Sequence, residues 1–316
     1  MIQEGLLYKF NTAKRNVKRP WRIINNIINT KNHKVENTIK KIIHDDVLHV
    51  DSGGIANMFN DYFVDIGRNI AESIEENKAN HLDYMTHINQ PNSLFFRTIH
   101  CYSTRKFICS LKNKSSYLNT VPVNILKSIC DIISAGLTNI ISRYHTTGVF
   151  PDSFKRARVA PIPKEGDKCN LSNYKPISVL PVFSKVFEKV AYTRLYEYLE
   201  NNSILHKQQY GFHAKKSTTQ VILHFLQYLY KHIDSGNTAF SLFLDFHKAF
   251  DCVNHVNHEI LLSKLNTCGV RGKALDWFRS YLTNREQYVS INNVDSNTEL
   301  FNVMFRKDLF WTLFYF

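Results

Sequence analysis

The stretch SLFLDFHKAFD, from Ser241 to Asp251, constrains this chain more than any other. It opens as an apolar run fit for a buried strand and then plants a carboxylate, Asp245, at its end. Such an Asp can turn the chain or cap a helix. It can instead hold a hard cation such as Mg²⁺, which takes few carboxylates and completes its shell with substrate phosphates. Phosphoryl-transfer sites use two such ions about 3.5–4 Å apart. One Asp cannot hold both, so the metal reading demands further carboxylates converging on it.

Charge narrows the partners. The 316 residues carry 40 Lys and Arg against 27 Asp and Glu, a formal net charge of +13. That excess favours a polyanion, either nucleic acid or an anionic membrane surface, over a merely basic exterior. No leader-like N-terminus and no apolar segment long enough to cross a bilayer occurs, so membrane readings drop away. The six cysteines are scattered without a CxxC pair, which argues against a zinc ribbon or redox motif. They fit reduced thiols in an intracellular protein, nuclear or cytoplasmic, and no disulfide partner is expected. His255 and His258 have ligand-like spacing but no third ligand beside them.

The pattern along the chain is mixed helix and strand. Trp21, Ile24 and Ile28 recur at helical spacing among basic residues, predicting an amphipathic helix with a cationic face. A second helix is expected from about Ile55 to Ile74, then a polar linker (EENKANHLDYMTHINQPNS). Thr120 and Pro122 open a helix predicted to bury Ile125, Ile129, Ile132, Ile133 and Ile140 on one face. RARVAPIPKEGDKCNLSNYKPISVLPV alternates apolar and cationic residues around a polar loop, predicting a hairpin with its basic side chains on one side. A helix with Phe183, Val186, Val190, Leu195 and Leu199 on one face ends at Asn201-Asn202. Ser217-Thr218-Thr219-Gln220 is a capping box opening a helix through about Ile233. The strand ending in Asp245 follows, and then helical pieces carrying Leu261, Leu262, Leu265 and Leu275, Phe278, Leu282.

FLDFHKAFDCVNH resembles the first catalytic motif of reverse transcriptases from non-LTR (LINE-type, jockey-like) retrotransposons. The resemblance continues in order on both sides. Upstream stand Phe150-Pro151, Val159-Ala160-Pro161-Ile162-Pro163-Lys164, Tyr174-Lys175-Pro176-Ile177-Ser178 and Gln209-Tyr210-Gly211-Phe212. Downstream stand Leu261-Leu262-Ser263-Lys264-Leu265, Gly269 and Trp277-Phe278-Arg279-Ser280-Tyr281-Leu282. It implies an α+β fold, a right-hand polymerase fragment holding the fingers and the first half of the palm. Residues 1–119 would be a basic, mostly helical linker region, and 120–316 a partial reverse transcriptase domain. Within the latter, fingers span about 120–238, an incomplete palm about 239–301, and a frameshifted tail 302–316.

The resemblance also implies roles. Asp245 would be the catalytic, metal-binding carboxylate, with the Phe246 backbone carbonyl as a further ligand, in a two-Mg²⁺ site that is incomplete here. Phe250 would lie under the sugar of the incoming nucleotide, where a rigid ring leaves no room for a 2′-OH and so selects dNTPs. Lys164 and Lys175 would grip the triphosphate, and Gln209 and Phe212 would line the nucleotide and template pocket. Partners by family are an RNA template, a DNA primer and dNTP. Two positions depart from the family: Lys175 and His213 stand where Arg is usual, and Lys cannot make the bidentate fork.

The family's third catalytic block, an aromatic-x-Asp-Asp turn beyond a Pro-Gln-Gly-Ser segment, does not follow Asp245 in this sequence. Asp45-Asp46 sits between apolar flanks but precedes the first motif, and an ordinary hairpin turn is the simpler expectation. Codons permitted for Asn302–Phe316, read one base earlier, can spell Cys-Asp-Val-Pro-Gln-Gly-Ser-Val-Leu-Asp-Pro-Leu-Leu-Phe. The expectation is therefore a decayed copy, frameshifted near Asn302 and inactive as a polymerase. A catalytically dead RNA- or DNA-binding remnant is the alternative. A third reading is an aggregating product with an open sheet edge.

Overall fold

Asp45 and Asp46 form the two-residue turn between β1 (Ile42–His44) and β2 (Val47–His49), an antiparallel pair. Both carry positive φ, 49° and 60°, the turn geometry whose twist suits a hairpin. The pair of acids is thus a turn. The computed structural model describes residues 39–72, 90–112, 121–214, 216–245 and 258–301, with only the backbone of 66–72 and 301. The chain divides into two compact units, Met1–Ile39 and Lys40–Phe316, and all that follows concerns the second. The expected Trp21 helix and most of the polar linker lie outside the described residues.

Helix α1 (Ser52–Glu72) opens where the Asp51 carboxylate accepts the Gly54 N–H at 2.6 Å. It buries Ile55, Ala56, Phe59 and Phe63. Three short-range helices follow in sequence: α2 (Cys101–Ser110), α3 (Val123–Ser128) and α4 (Cys130–Thr147). The helix expected from Thr120 is two helices, broken at Ile129 with φ −101° and ψ 8°. Its isoleucine face is a correction. Ile125, Ile129, Ile132 and Ile140 are exposed, Ile132 to 82%. The buried positions are Leu126, Cys130, Ser134, Leu137, Thr138, Ile141 and His145. The break rotates the two faces, and small polar residues let α2 approach α4 closely, with the Thr138 hydroxyl donating to Thr104 Oγ1 at 2.7 Å.

Strand β3 (Arg156–Pro163) pairs antiparallel with β4 (Tyr174–Val179), Ala160 opposite Ile177 and Ile162 opposite Lys175. Helix α5 (Val182–Asn201) follows and buries Val186, Val190, Leu195 and Leu199 as its period requires. Helix α6 (Thr218–Asp234) starts on a complete capping box: the Gln220 N–H reaches Ser217 Oγ, and Gln220 Oε1 accepts the Ser217 N–H at 2.8 Å. Helices α7 (His258–Thr267) and α8 (Lys273–Leu282) bury Leu261, Leu262, Leu265, Trp277, Phe278 and Leu282. Then β5 (Arg285–Ile291) runs parallel to β3, and β6 (Val294–Asp295) and β7 (Glu299–Phe301) add to β5. The sheet order is β4-β3-β5-β6, with β7 also on β5.

Helix α1 covers one face of this sheet. Phe59 meets the Tyr174 ring edge-on at 4.8 Å, and Gln287 Nε2 donates to Asn60 Oδ1 at 3.1 Å. The helices enclose a separate aromatic core in which Phe150 contacts Trp277 and Tyr281 at 5.4 and 4.8 Å.

The strand expected at 239–245 is the second correction. Residues 239–245 form no regular element, and Phe240 and Phe243 are 90% and 79% exposed. An apolar run becomes a strand only where a neighbouring backbone pairs with it and both faces are covered. Both sides of β3 are already taken by β4 and β5. Helix α6, just upstream, likewise buries none of its residues.

One buried group makes acid sensitivity an expected property. His145 stacks on Phe96 at 4.2 Å, faces the Trp277 edge at 5.6 Å, and neither ring nitrogen has a hydrogen-bond partner. Burial, and secondarily the Arg194 charge, pushes its pKa down to about 3 from 6.5. Between those values the unfolded chain takes a proton that the folded chain refuses. This contribution is complete above pH 6.5 and is lost as pH falls toward 3. Going from pH 7 to pH 5 should cost about 2 kcal/mol, at about 1.4 kcal/mol per unit. Urea unfolding at both pH values should show this, and His145→Phe should lose most of it. An undiminished pH effect in the variant would refute the assignment.

Candidate functional site

Strand alternation alone assembles a basic surface. Ala157, Val159 and Tyr174 point into the core, so Arg156, Arg158, Ala160 and Ile162 take the other face of β3. The register carries Lys175, Ile177 and Val179 onto that same face of β4. Lys164 continues it past the strand end, its N–H donating to the Asn173 carbonyl at 2.7 Å and its Nζ reaching the Ser172 carbonyl at 3.3 Å. Lys164 and Lys175 are both exposed.

The connecting loop is pinned by its own polar groups. Asp167 Oδ1 accepts the Cys169 N–H and Asn170 Oδ1 accepts the Ser172 N–H, both at 2.9 Å. The Tyr174 hydroxyl donates to the Lys168 carbonyl at 2.7 Å, and burial is the main cause of its raised pKa. Two lysines on a stiff hairpin, with arginines along the same face, suit an anion with several oxygens.

Gln209 and Phe212 lie together in the turn before α6. Lys216 Nζ donates to the Gln209 carbonyl at 3.0 Å and sits 5.1 Å from the Tyr210 ring centroid. Phe212 holds φ at +57°, a backbone conformation unusual for a side-chain-bearing residue, and its ring is 45% exposed. His213 ties this turn to α5: its Nε2 lies 2.9 Å from Glu200 Oε1 and its Nδ1 3.2 Å from the Tyr196 hydroxyl. The position where the family carries Arg therefore spends its polar groups on α5.

Asp245 is exposed at the end of the unpaired 239–245 segment. Phe246 and Phe250 lie outside the described residues. Among the described residues no group of three or more His, Cys, Asp or Glu side chains is placed to hold a metal ion. Lys164 and Lys175 thus stand on one face of the hairpin, and Gln209 and Phe212 in one turn. Arg156 and Arg158 join the basic face without having been singled out individually, although their alternation within RARV marked it. Arg156 lies over the Tyr288 ring at 4.8 Å and donates to Thr298 Oγ1 at 2.6 Å. No helix among the described residues is long and apolar enough to cross a membrane.

Comparison with known proteins matches residues 162–304 to the family described as reverse transcriptase (RNA-dependent DNA polymerase). The chain is 32% identical over 116 residues to a probable RNA-directed DNA polymerase from transposon X-element of Drosophila melanogaster, covering 36% of this chain and 13% of that protein. It is 28% identical over 191 residues to a putative 115 kDa protein in the type-1 retrotransposable element R1DM of the same species, 58% of this chain and 17% of that one. The RNA-directed DNA polymerase from its mobile element jockey is 28% identical over 109 residues, 34% of this chain and 12% of the relative. The chain therefore spans less than a fifth of the length of each of these three relatives.

Proposed function

We propose that the chain comes from the reverse transcriptases of jockey-like non-LTR retrotransposons, as its match over residues 162–304 supports, and that what its lineage does differs from what these 316 residues do. The lineage adds deoxynucleotides to a primer 3′-OH along an RNA template. In that reaction the β3–β4 face would hold phosphates through Lys164 and Lys175, and the Gln209–Phe212 turn would meet the nucleotide and template. Asp245, with the Phe246 carbonyl, would be the acidic anchor, and Phe250 would exclude a 2′-OH. These 316 residues alone bind nucleic acid and do not polymerise, because one carboxylate cannot hold two ions against a transferring phosphoryl group. The observation carrying the binding half is the gathering of Arg156, Arg158, Lys164 and Lys175 on one hairpin face.

Binding through phosphates is expected to weaken steeply with salt. Single-stranded RNA titrated by fluorescence polarisation between about 50 and 200 mM salt should give a negative log–log slope of about 0.7 per phosphate contact. Lys164→Ala and Lys175→Ala should each flatten that slope by about the same amount. Salt-insensitive binding, or slopes unchanged in the double variant, would overturn the assignment of this face.

A further inference from the structure

We propose that Cys109 and Cys130 are a thiol–disulfide modification site, a clip between α2 and the start of α4 that exchanges with small-molecule disulfides such as oxidised glutathione. The two sulfurs lie 3.9 Å apart although 21 positions separate the residues. A disulfide needs about 2.05 Å, so the clip requires the two short side chains to rotate toward each other. Their surroundings divide the work. Cys109 is exposed on the last turn of α2 and can meet an oxidant, whereas Cys130 is buried as the first residue of α4. The Arg105 guanidinium lies 2.5 Å from Asp131 Oδ1, on the residue after Cys130. With two thiols and no third ligand grouped for a metal among the described residues, sulfur–sulfur chemistry is what this pair can do.

The exchange balances in two steps. The Cys109 thiolate attacks one sulfur of the glutathione disulfide, forming a mixed disulfide and releasing one glutathione thiolate. The Cys130 thiolate then attacks the Cys109 sulfur, the bond to glutathione breaks, and the second glutathione leaves. The protein loses two electrons and two thiol protons, and the disulfide gains both. Desolvation, then the contact with the Cys130 thiol, raises the Cys109 pKa, which lowers its thiolate fraction and slows the first step.

The equilibrium is therefore the quantity to measure. The full chain is held in glutathione buffers of graded ratio, its free thiols are alkylated, and its peptides are mapped by mass. The expected result is a bridged Cys109–Cys130 peptide, half-formed at a glutathione ratio at least about tenfold more reducing than that needed to oxidise Cys101, Cys169 or Cys268. Cys109→Ser, at an exposed position, should abolish that peptide and leave Cys130 alkylated. The thermal midpoint should rise on oxidation in the parent chain and stay unchanged in the variant. Oxidation spread evenly over the cysteines would overturn the proposal. So would bridging that is equally favourable in urea, or an oxidation-dependent midpoint that survives Cys109→Ser.

Discussion

Given an RNA template, an annealed DNA primer, dNTPs and Mg²⁺, the purified 316-residue polypeptide is expected to leave the primer unextended. The argument is electrostatic. In-line transfer of a phosphoryl group gathers negative charge on the attacking and leaving oxygens, and two ions about 3.5–4 Å apart are what neutralise it. Those ions need several converging carboxylates, and after Asp245 the sequence offers no Asp-Asp pair. Removing a single preorganised group of this kind typically costs about 10²–10³ in rate, and an incomplete set costs more. Asp245→Asn should therefore give the same blank lanes as the parent, while RNA binding persists in both. Mg²⁺-dependent incorporation in the parent, absent from Asp245→Asn, would sink the division between lineage and polypeptide. A matching positive arm uses the DNA itself. The family match stops at residue 304, two positions past Asn302. If the register slips there, the locus read one base earlier should spell the Pro-Gln-Gly-Ser block and, further on, the Asp pair. The polypeptide encoded in that frame should extend primers.

How far the sequence forecasts this molecule depends on how local each cause is. The capping box at Ser217–Gln220 and the Asp45–Asp46 turn need only neighbouring residues, and both form as their chemistry dictates. The β3–β4 hairpin is legible for the same reason: alternation and register put Lys175 on the face of Arg156 and Arg158, which Lys164 continues past the strand end. The α3–α4 break was not legible, because Ile125, Ile129, Ile132 and Ile140 keep helical spacing while Ser134, Thr138 and His145 take the core. The choice follows from what packs against α4, namely α2 at Thr138 and Phe96 with Trp277 at His145, and all of these are distant in sequence. The run ending in Asp245 fails for a related reason. Its apolar residues announce burial, but a strand's partner is written elsewhere, and none of the described strands pairs with it. The same holds for Cys109 and Cys130, whose contact crosses helices that no spacing rule connects.

Gly269 makes the strongest case that a family-matching residue here is a packing necessity, and its replacement by alanine is expected to be among the most damaging single changes in the chain. Its φ of +90° lies where side-chain-bearing residues rarely go. A Cβ added there would stand 2.4 Å from the Asn92 carbonyl oxygen, a backbone atom that cannot simply swing aside. It would also overlap the Tyr198 hydroxyl, which donates toward the Asn92 carbonyl at 2.7 Å and the Cys268 carbonyl at 3.0 Å. The Gly269 carbonyl itself accepts the Leu94 N–H at 2.9 Å, and Arg271 bonds Gln90 and Ser93, so the segment at 90–94 is held against the end of α7 at this approach. Gly269→Ala thus adds backbone strain of about 1–3 kcal/mol. Broken hydrogen bonds among part-buried groups add about 1–3 kcal/mol more. A net loss of about 3–5 kcal/mol would consume much of a typical domain's stability of about 5–15 kcal/mol. Urea unfolding should show the midpoint falling sharply in Gly269→Ala. Tyr198→Phe, which removes only the hydroxyl, should cost less, about 1–2 kcal/mol. If Gly269→Ala unfolds at the parent's midpoint, the close approach of these three backbone segments is not what holds α5, α7 and residues 90–94 together.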